Sequence, residues 1–182
     1  MTPEQARELK QELGEVSMQS QALVAGMDAQ TLMKRPASGG WSVAENLQHL
    51  IQTGDAMIPL AEEAVAQLER DGKKSRARSG LGVTGWLLVK SLEPPARMKI
   101  KTTKPFEPVS VPDPMNLVDG LQTTNGKLAT LIVRATDLAT STVKVVSPFN
   151  ARAKYNVYAA FRIMLSHTRR HLWQAERAKA GH

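Results

Sequence analysis

The chain has 182 residues, of which 42% are hydrophobic and 23% are charged; these values are typical of one globular domain and exclude disordered and collagen-like proteins. Cysteine is absent, which excludes disulfides, cysteine-ligated metal sites and a cysteine nucleophile, and no apolar run approaches the roughly 20 residues of a membrane span. The 24 basic and 17 acidic residues give a net charge of +7, which permits an anionic ligand or nucleic acid, but aromatic residues, at 4%, are scarce for a nucleic-acid stacking surface.

Two helices are predicted in the first 70 residues. The first spans residues 3 to 27, because its apolar residues recur at alternating spacings of three and four. The second begins after Ser42, which can form a capping box with Glu45, and runs to about residue 69. Two apolar stripes on this second helix indicate contact with more than one other helix. Pro59 lies inside it and allows either a kink or an early end.

A long crossover is predicted from residue 71 to residue 114. Its composition changes to a basic run followed by glycine-rich and proline-rich pieces. Residues 83 to 92 predict a short apolar helix, and residues 97 to 103 alternate apolar and basic side chains. The crossover is therefore expected to be structured, since a loop of this length without structure is uncommon in a compact domain.

Two more helices complete the predicted fold. The third runs from Asp113, as its N-cap, to Leu138, and the fourth runs from about residue 151 to residue 178 after a connector at 140–150. Four long amphipathic helices predict an all-α four-helix bundle that forms a single domain over residues 1–182. The long crossover allows helices two and three to lie parallel, in an up-down-down-up order. The start of the sequence lacks the pattern of a secretion signal, so we expect a cytoplasmic protein.

The histidines are the strongest chemical signal in the sequence. His167 and His171 are four residues apart, so their imidazoles project from one face of the fourth helix. His49 lies on an inward-facing stripe of the second helix and could complete a three-nitrogen metal site across the bundle. The alternative is that this spacing arises by chance and that His49 is an ordinary core residue.

The motifs around these histidines occur in a fixed order. The pattern Trp41-Ser42-x-x-Glu45-x-x-x-His49-Leu50 is followed far downstream by His167-x-x-x-His171-Leu172-x-Gln174. Further matching pieces are Leu32, Pro36, the segment 101–107 and Ser147-Pro148-Phe149. Together, over most of the chain, they resemble the DinB-like family, which includes YfiT-type proteins and thiol transferases.

The resemblance implies a four-helix bundle, often a homodimer, that holds a divalent metal on His49, His167 and His171. Three neutral imidazoles leave a coordination position open, as in catalytic zinc sites, and zinc or nickel is the metal expected first. The implied function is hydrolysis, or transfer of a low-molecular-weight thiol, on a small-molecule substrate. The alternatives are a metal-binding or stress-related bundle without catalysis and, less favoured, a basic nucleic-acid-binding module.

Two other polar residues are weaker candidates for the site. Glu45 lies one turn before His49 and could support its ring or act as a general base, although the capping box already explains it. Gln174 could orient a histidine or reach the substrate, or lie on the helix surface. Arg169 and Arg170 fall between the two histidines on the helical wheel and are expected to face solvent or a partner. His182, at the end of the sequence, is not expected to take part.

Overall fold

The computed structural model describes residues 1–95 and 102–181. Over these residues the chain is mostly helical, as the sequence predicted, with six α-helices and two short strands. In chain order the elements are α1 Pro3–Val24, α2 Ala29–Met33, α3 Val43–Asp71, α4 Gly82–Leu92, α5 Leu117–Arg134, β1 Lys144–Ser147, β2 Asn150–Asn156 and α6 Val157–Ala180. Within the described ranges, no helix combines the length and the apolar character that crossing a membrane requires.

The second long helix begins where its sequence predicts. Ser42 and Glu45 form the capping box at the start of α3, in which each side chain accepts a hydrogen bond from the other residue's backbone N–H. These bonds satisfy two backbone donors that the first turn of a helix leaves unpaired. Pro59 does not end the helix, which continues to Asp71 and stops before Gly72, whose φ of 62° favours glycine.

The prediction for residues 140–156 is wrong. Instead of a connector followed by a helix from residue 151, β1 and β2 form an antiparallel hairpin in which Val145 pairs with Tyr155. Residues 151–154 have side chains that favour a helix, and their pairing with β1 overrides this propensity. Asn156 then caps α6, because its side-chain oxygen accepts a hydrogen bond from the backbone N–H of Ala159 at 2.8 Å.

The third long helix is shorter than predicted. It begins at Leu117. Asp113 is not its N-cap, because the carboxylate of Asp113 accepts a hydrogen bond from the side-chain amide of Asn116 and not from a helix N–H. It ends at Arg134, before the predicted end at Leu138. In the crossover, α4 agrees with the predicted apolar helix, whereas most of the alternating segment at 97–103 lies outside the described residues.

The two helices α3 and α5 pack closely and run parallel. A Cβ built on Gly54 would lie 2.4 Å from Cγ2 of Thr124, and one built on Gly120 would lie 2.8 Å from Cδ1 of Ile51. These distances are shorter than real Cβ contacts, so a Cβ at either position would displace its neighbour, at greater cost against the short side chain of Thr124 than against the end of Ile51. Packing therefore explains Gly120 of α5, which is unfavourable in an isolated helix, but it does not explain Gly126 of the same helix, whose Cβ would meet nothing within 4 Å.

The long helix α3 contacts both α5 and α6, and α1 contacts the same two helices. Along its length α1 runs antiparallel to α5 and parallel to α6. The hydrogen bonds that set these directions join Ser17 to Gln122, Met1 to Asp137, Gln19 to Glu176 and Leu23 to Lys179. Apolar side chains from all four helices form one buried core, against which the hairpin and α4 also pack.

Candidate metal centre

Three histidines from two helices meet inside the protein. His49 lies in α3, and His167 and His171 lie one turn apart in α6. One ring nitrogen from each residue lies within 4.8 Å of those of the other two, and Nε2 of His49 is 3.3 Å from Nε2 of His167. His49 and His171 are buried, and His167 is partly buried. The structure thus brings together the three histidines that the sequence singled out.

The orientation of His49 is set by the crossover. Its Nδ1 lies 2.7 Å from the carbonyl oxygen of Phe106, which can only accept a hydrogen bond. The proton of the neutral ring therefore lies on Nδ1, which leaves the lone pair on Nε2 free to face the other histidines. Such a bond to the outer nitrogen is the usual support of a metal-binding imidazole.

The orientation of His171 is set by the first turn of α3. Its Nδ1 lies 3.0 Å from Oδ1 of Asn46. The amide nitrogen of Asn46 donates to the carbonyl oxygen of Ser42 at 2.9 Å, so the amide oxygen is the atom that faces His171. His171 consequently carries its proton on Nδ1 and presents the lone pair of Nε2, like His49.

Aromatic rings surround the cluster. The ring of Trp41 is stacked on that of His171 with centroids 5.8 Å apart, and its centroid lies 4.9 Å from that of His49. On another side of the cluster, the ring centroid of Phe149 lies 6.5 Å from that of His167, and the Phe149 ring contacts that of Phe106 edge to face. These rings restrict rotation of the imidazoles.

Burial keeps the three imidazoles neutral. The pKa of His49 is lowered by burial, and burial together with the charges of His49 and Arg170 lowers the pKa of His167 to about 3. For His171 burial again comes first, followed by the neighbouring His167, His49 and Arg170, and its pKa lies well below 6.5. Neutral rings are the form that binds a metal, since protonation removes the lone pair.

The histidines line a cavity of about 1030 Å³ that lies between α3, α5 and α6. Towards the middle of α3 and α5 its wall is largely apolar and includes Leu50, Met57, Leu121, Leu128 and Ile163. Towards the C-terminal end of α6 the wall includes Trp173, Gln174 and Arg177. The volume is sufficient for a small-molecule ligand beside the cluster.

A family model of the DinB superfamily matches residues 12–175, which is most of the chain. This chain belongs to the DinB superfamily. The match covers all three histidines of the cluster and agrees with the resemblance read from the sequence. Searches of the curated proteins and of the solved structures gave no significant match.

The residues of this DinB-superfamily chain fit a divalent metal. Two nitrogens bound to one tetrahedral zinc at about 2.0–2.1 Å lie about 3.3–3.4 Å apart, and the observed separation between His49 and His167 is 3.3 Å. All three donors are neutral imidazoles, which zinc and nickel accept. The cluster could therefore hold one metal ion.

The structure places Glu45 away from the three histidines. Its buried carboxylate accepts hydrogen bonds from the backbone N–H of Ser42 and from the guanidinium of Arg35. Arg35 and Ser42 also lower the pKa of this carboxyl, against an opposing effect of burial. These bonds are those of the capping box and an ion pair. Gln174, the other candidate, lines the cavity beyond His171.

The expectation for the two arginines between the histidines needs correction. Arg170 is buried, with 4% of its surface exposed, and lines the cavity. Its guanidinium donates a hydrogen bond to the carbonyl oxygen of Ser91 at 3.1 Å. Arg169 is also largely covered, and it forms ion pairs with Glu12 and Glu93. The expectation failed because it considered α6 alone: α4 packs against this helix, and Glu12 and Glu93 cover Arg169.

The residues that orient the histidines were not predicted from the sequence. Asn46 stood on the same inward-facing stripe as His49, three residues before it, and this spacing was the available signal. The carbonyl group of Phe106 carried no signal, because a backbone atom is the same at every position. His182 lies outside the described residues.

Proposed function

We propose that this protein is a metal-dependent enzyme that holds one divalent cation, zinc or nickel, on His49, His167 and His171. The observation that carries the proposal is the orientation of the imidazole rings. Hydrogen bonds on the outer nitrogens of His49 and His171 turn their lone pairs towards His167, at the wall of a large cavity. Three lone pairs that converge on one point are favourable when a cation lies between them.

The proposed chemistry is activation of a nucleophile in the cavity. Three protein ligands leave one coordination position for a small molecule. When bound, the cation supplies positive charge that lowers the pKa of a water molecule or thiol beside it and favours the reactive anion. Asn46 and the carbonyl of Phe106 hold the rings in place, and Trp41 limits the access of bulk water. Because the chain has no cysteine, a reacting thiol must come from a low-molecular-weight co-substrate.

The arrangement supports hydrolysis and thiol transfer equally, because both need an activated nucleophile beside an open volume. A metal-binding bundle without catalysis is the second candidate. The size of the cavity favours an enzyme over that candidate, since a structural metal site is closed by its ligands and needs no such volume.

An activity assay on metal-loaded protein tests the proposal. We expect metal-dependent turnover of an ester, or of an electrophile with a low-molecular-weight thiol, that is lost in His49→Ala. His182→Ala is the matched control, because His182 is the fourth histidine of the chain and is not expected from its sequence position to take part. Wild-type rates in metal-free His49→Ala would overturn the proposal. Full metal binding without turnover in either assay would support the non-catalytic alternative.

We also propose that α1, α3, α5 and α6 form an up-down-down-up four-helix bundle and that the protein is a homodimer. The parallel packing of α3 with α5, and of α1 with α6, supports the bundle. The apolar surface of α3 packs within the chain against α5 and α6 and gives no separate support to a dimer. That part of the proposal rests on the family, and a monomeric mass by light scattering would contradict it.

A further inference from the structure

Two matched rows of side chains line the part of the cavity beside α3 and α5. The rows are made of Leu50, Thr53 and Met57 on α3, and of Leu121, Thr124 and Leu128 on α5. In both rows the residues follow the i, i+3, i+7 spacing of one helical face. Because the two helices run parallel, the rows flank the same stretch of the cavity, and seven residues of helix advance about 10 Å. We call this elongated space, bounded by the six residues, the α3–α5 pocket.

The charged side chains of the cavity wall lie away from this pocket. Helices α3 and α6 run antiparallel, since the first turn of α3 bonds to His171, whereas Met57, farther along α3, contacts Tyr155 just before α6 begins. The pocket therefore lies beside the first half of α6. Arg170 and Arg177, the charged residues among those described that line the cavity, both belong to the second half. The pocket itself offers no charge to a ligand.

The hydroxyl groups in and beside the pocket form hydrogen bonds within the protein. Those of Thr53 and Thr124 donate to backbone carbonyls of their own helices, at 2.9 Å and 3.3 Å. Tyr155 lines the cavity beside Met57, and its hydroxyl donates to Sδ of Met57 at 3.4 Å. A polar atom of a ligand in the pocket would have to break one of these bonds or remain unpaired, and both are unfavourable.

The pocket is consequently less polar than its residue types suggest. Asn125, which follows Thr124 on α5, is also bonded elsewhere, because its amide nitrogen donates at 2.9 Å to Oγ of Ser17, a residue outside the cavity wall. Water in the pocket would find few hydrogen-bond partners, whereas an apolar group there is removed from water at no such cost. The shape and the chemistry of the pocket therefore both favour an elongated apolar group.

We propose that the substrate of this cavity carries an uncharged alkyl chain, which lies in the α3–α5 pocket between the row of Leu50 and Met57 and the row of Leu121 and Leu128. Leu50 follows His49 directly in α3, so a chain that enters the pocket at this end places the rest of the molecule at the histidines. The inference rests on the proposed function in that it takes this cavity as the substrate site. It does not require the metal to be present.

Binding of neutral probes to metal-free protein tests the inference separately from the metal site. Butanol, hexanol and octanol differ only in chain length, and hexanediol has a hydroxyl group at each end of the hexyl chain. We expect calorimetry to show affinity that rises about tenfold for each added pair of methylene groups. Hexanediol should bind more weakly than hexanol, because its second hydroxyl would lie in the pocket without a partner. No binding of octanol, affinity that does not rise along the series, or equal binding of hexanediol and hexanol would overturn the inference.

Substitutions in α5 locate the chain. Leu128→Phe and Leu121→Phe each add volume to a side chain of the pocket wall and should lower the affinity for octanol to that of hexanol or below. Val133→Phe is the matched control, because Val133 lies on the same helix, is 55% exposed and does not line the cavity. It should bind octanol like the wild type. Wild-type affinity for octanol in either folded leucine variant would contradict the inference, and if neither variant folds, the probe series on the wild type decides.

The outcomes for the metal and for the alkyl chain are independent. Protein that binds octanol in the pocket but contains no metal would retain the inference and remove the proposed metal chemistry. Protein that binds metal but shows no preference for longer chains would do the reverse.

Discussion

Oδ1 of Asn46 accepts a hydrogen bond from Nδ1 of His171 at 3.0 Å and so joins the first turn of α3 to α6. The amide of Asn46 cannot turn over without losing its own hydrogen bond to Ser42. The start of α3 is in turn fixed by the capping box of Ser42 and Glu45. The same turn therefore begins a helix and orients a proposed metal ligand.

Removal of this support should weaken metal binding without unfolding the protein. We expect Asn46→Ala to lower the affinity for zinc about 10- to 100-fold, the usual effect of losing a hydrogen bond to a ligating histidine. Asn46→Asp keeps an acceptor at this position and should lose less. Competition with a chromogenic chelator measures the affinity. Asn125→Ala is the control, because Asn125 lines the same cavity but bonds to Ser17; an equal loss in both alanine variants would refute the role of Asn46.

The stability of the metal-free protein should depend on pH through the same three histidines. Their pKa values are lowered on folding, chiefly by burial, and that of His167 falls to about 3. Below the usual value of 6.5 the unfolded chain binds protons that the folded chain does not. The free energy of unfolding should therefore be highest above pH 6.5 and fall as the pH decreases, by up to about 1.4 kcal/mol per pH unit for each histidine.

Urea unfolding at a series of pH values measures this dependence. The variant with all three histidines replaced by glutamine is the control, and it should show a shallower fall below about pH 6.5. The same slope in this variant and in the wild type would show that the acid sensitivity comes from other groups. With metal bound, the free energy of unfolding should be higher at each pH, while its fall should still begin near pH 6.5, where the unfolded chain takes up protons.

Substitutions in α3 and α5 test the close packing of these two helices, which positions His49. Gly54→Ala places a Cβ against the methyl group of Thr124 and should lower the free energy of unfolding by about 1–3 kcal/mol. Thr124→Ser removes that methyl group and should relieve most of this loss in the double variant. Gly14→Ala, in an open and exposed part of α1, should instead raise stability by up to about 1 kcal/mol. Additive effects of the first two substitutions would argue against the close contact.

The sequence was most informative where one pattern set both local structure and burial. The spacing of His167 and His171, and the capping box before His49, predicted the helices and the faces on which the ligands lie. The hairpin was not predicted, because residues 151–154 favour a helix locally and adopt a strand only through pairing with β1. The burial of Arg170 was not predicted for a similar reason, since it comes from packing of α6 against α4, a distant part of the sequence, whose Ser91 carbonyl accepts its hydrogen bond.

The metal content of protein purified without a histidine tag tests the central claim most directly. Elemental analysis after dialysis should give one equivalent of a divalent metal per chain in the wild type and in His182→Ala. His171→Ala should lose most of that metal while circular dichroism shows that its helices are retained. Equal metal content in His171→Ala and the wild type, or no metal in wild-type protein dialysed against zinc or nickel, would contradict a metal site built on His49, His167 and His171.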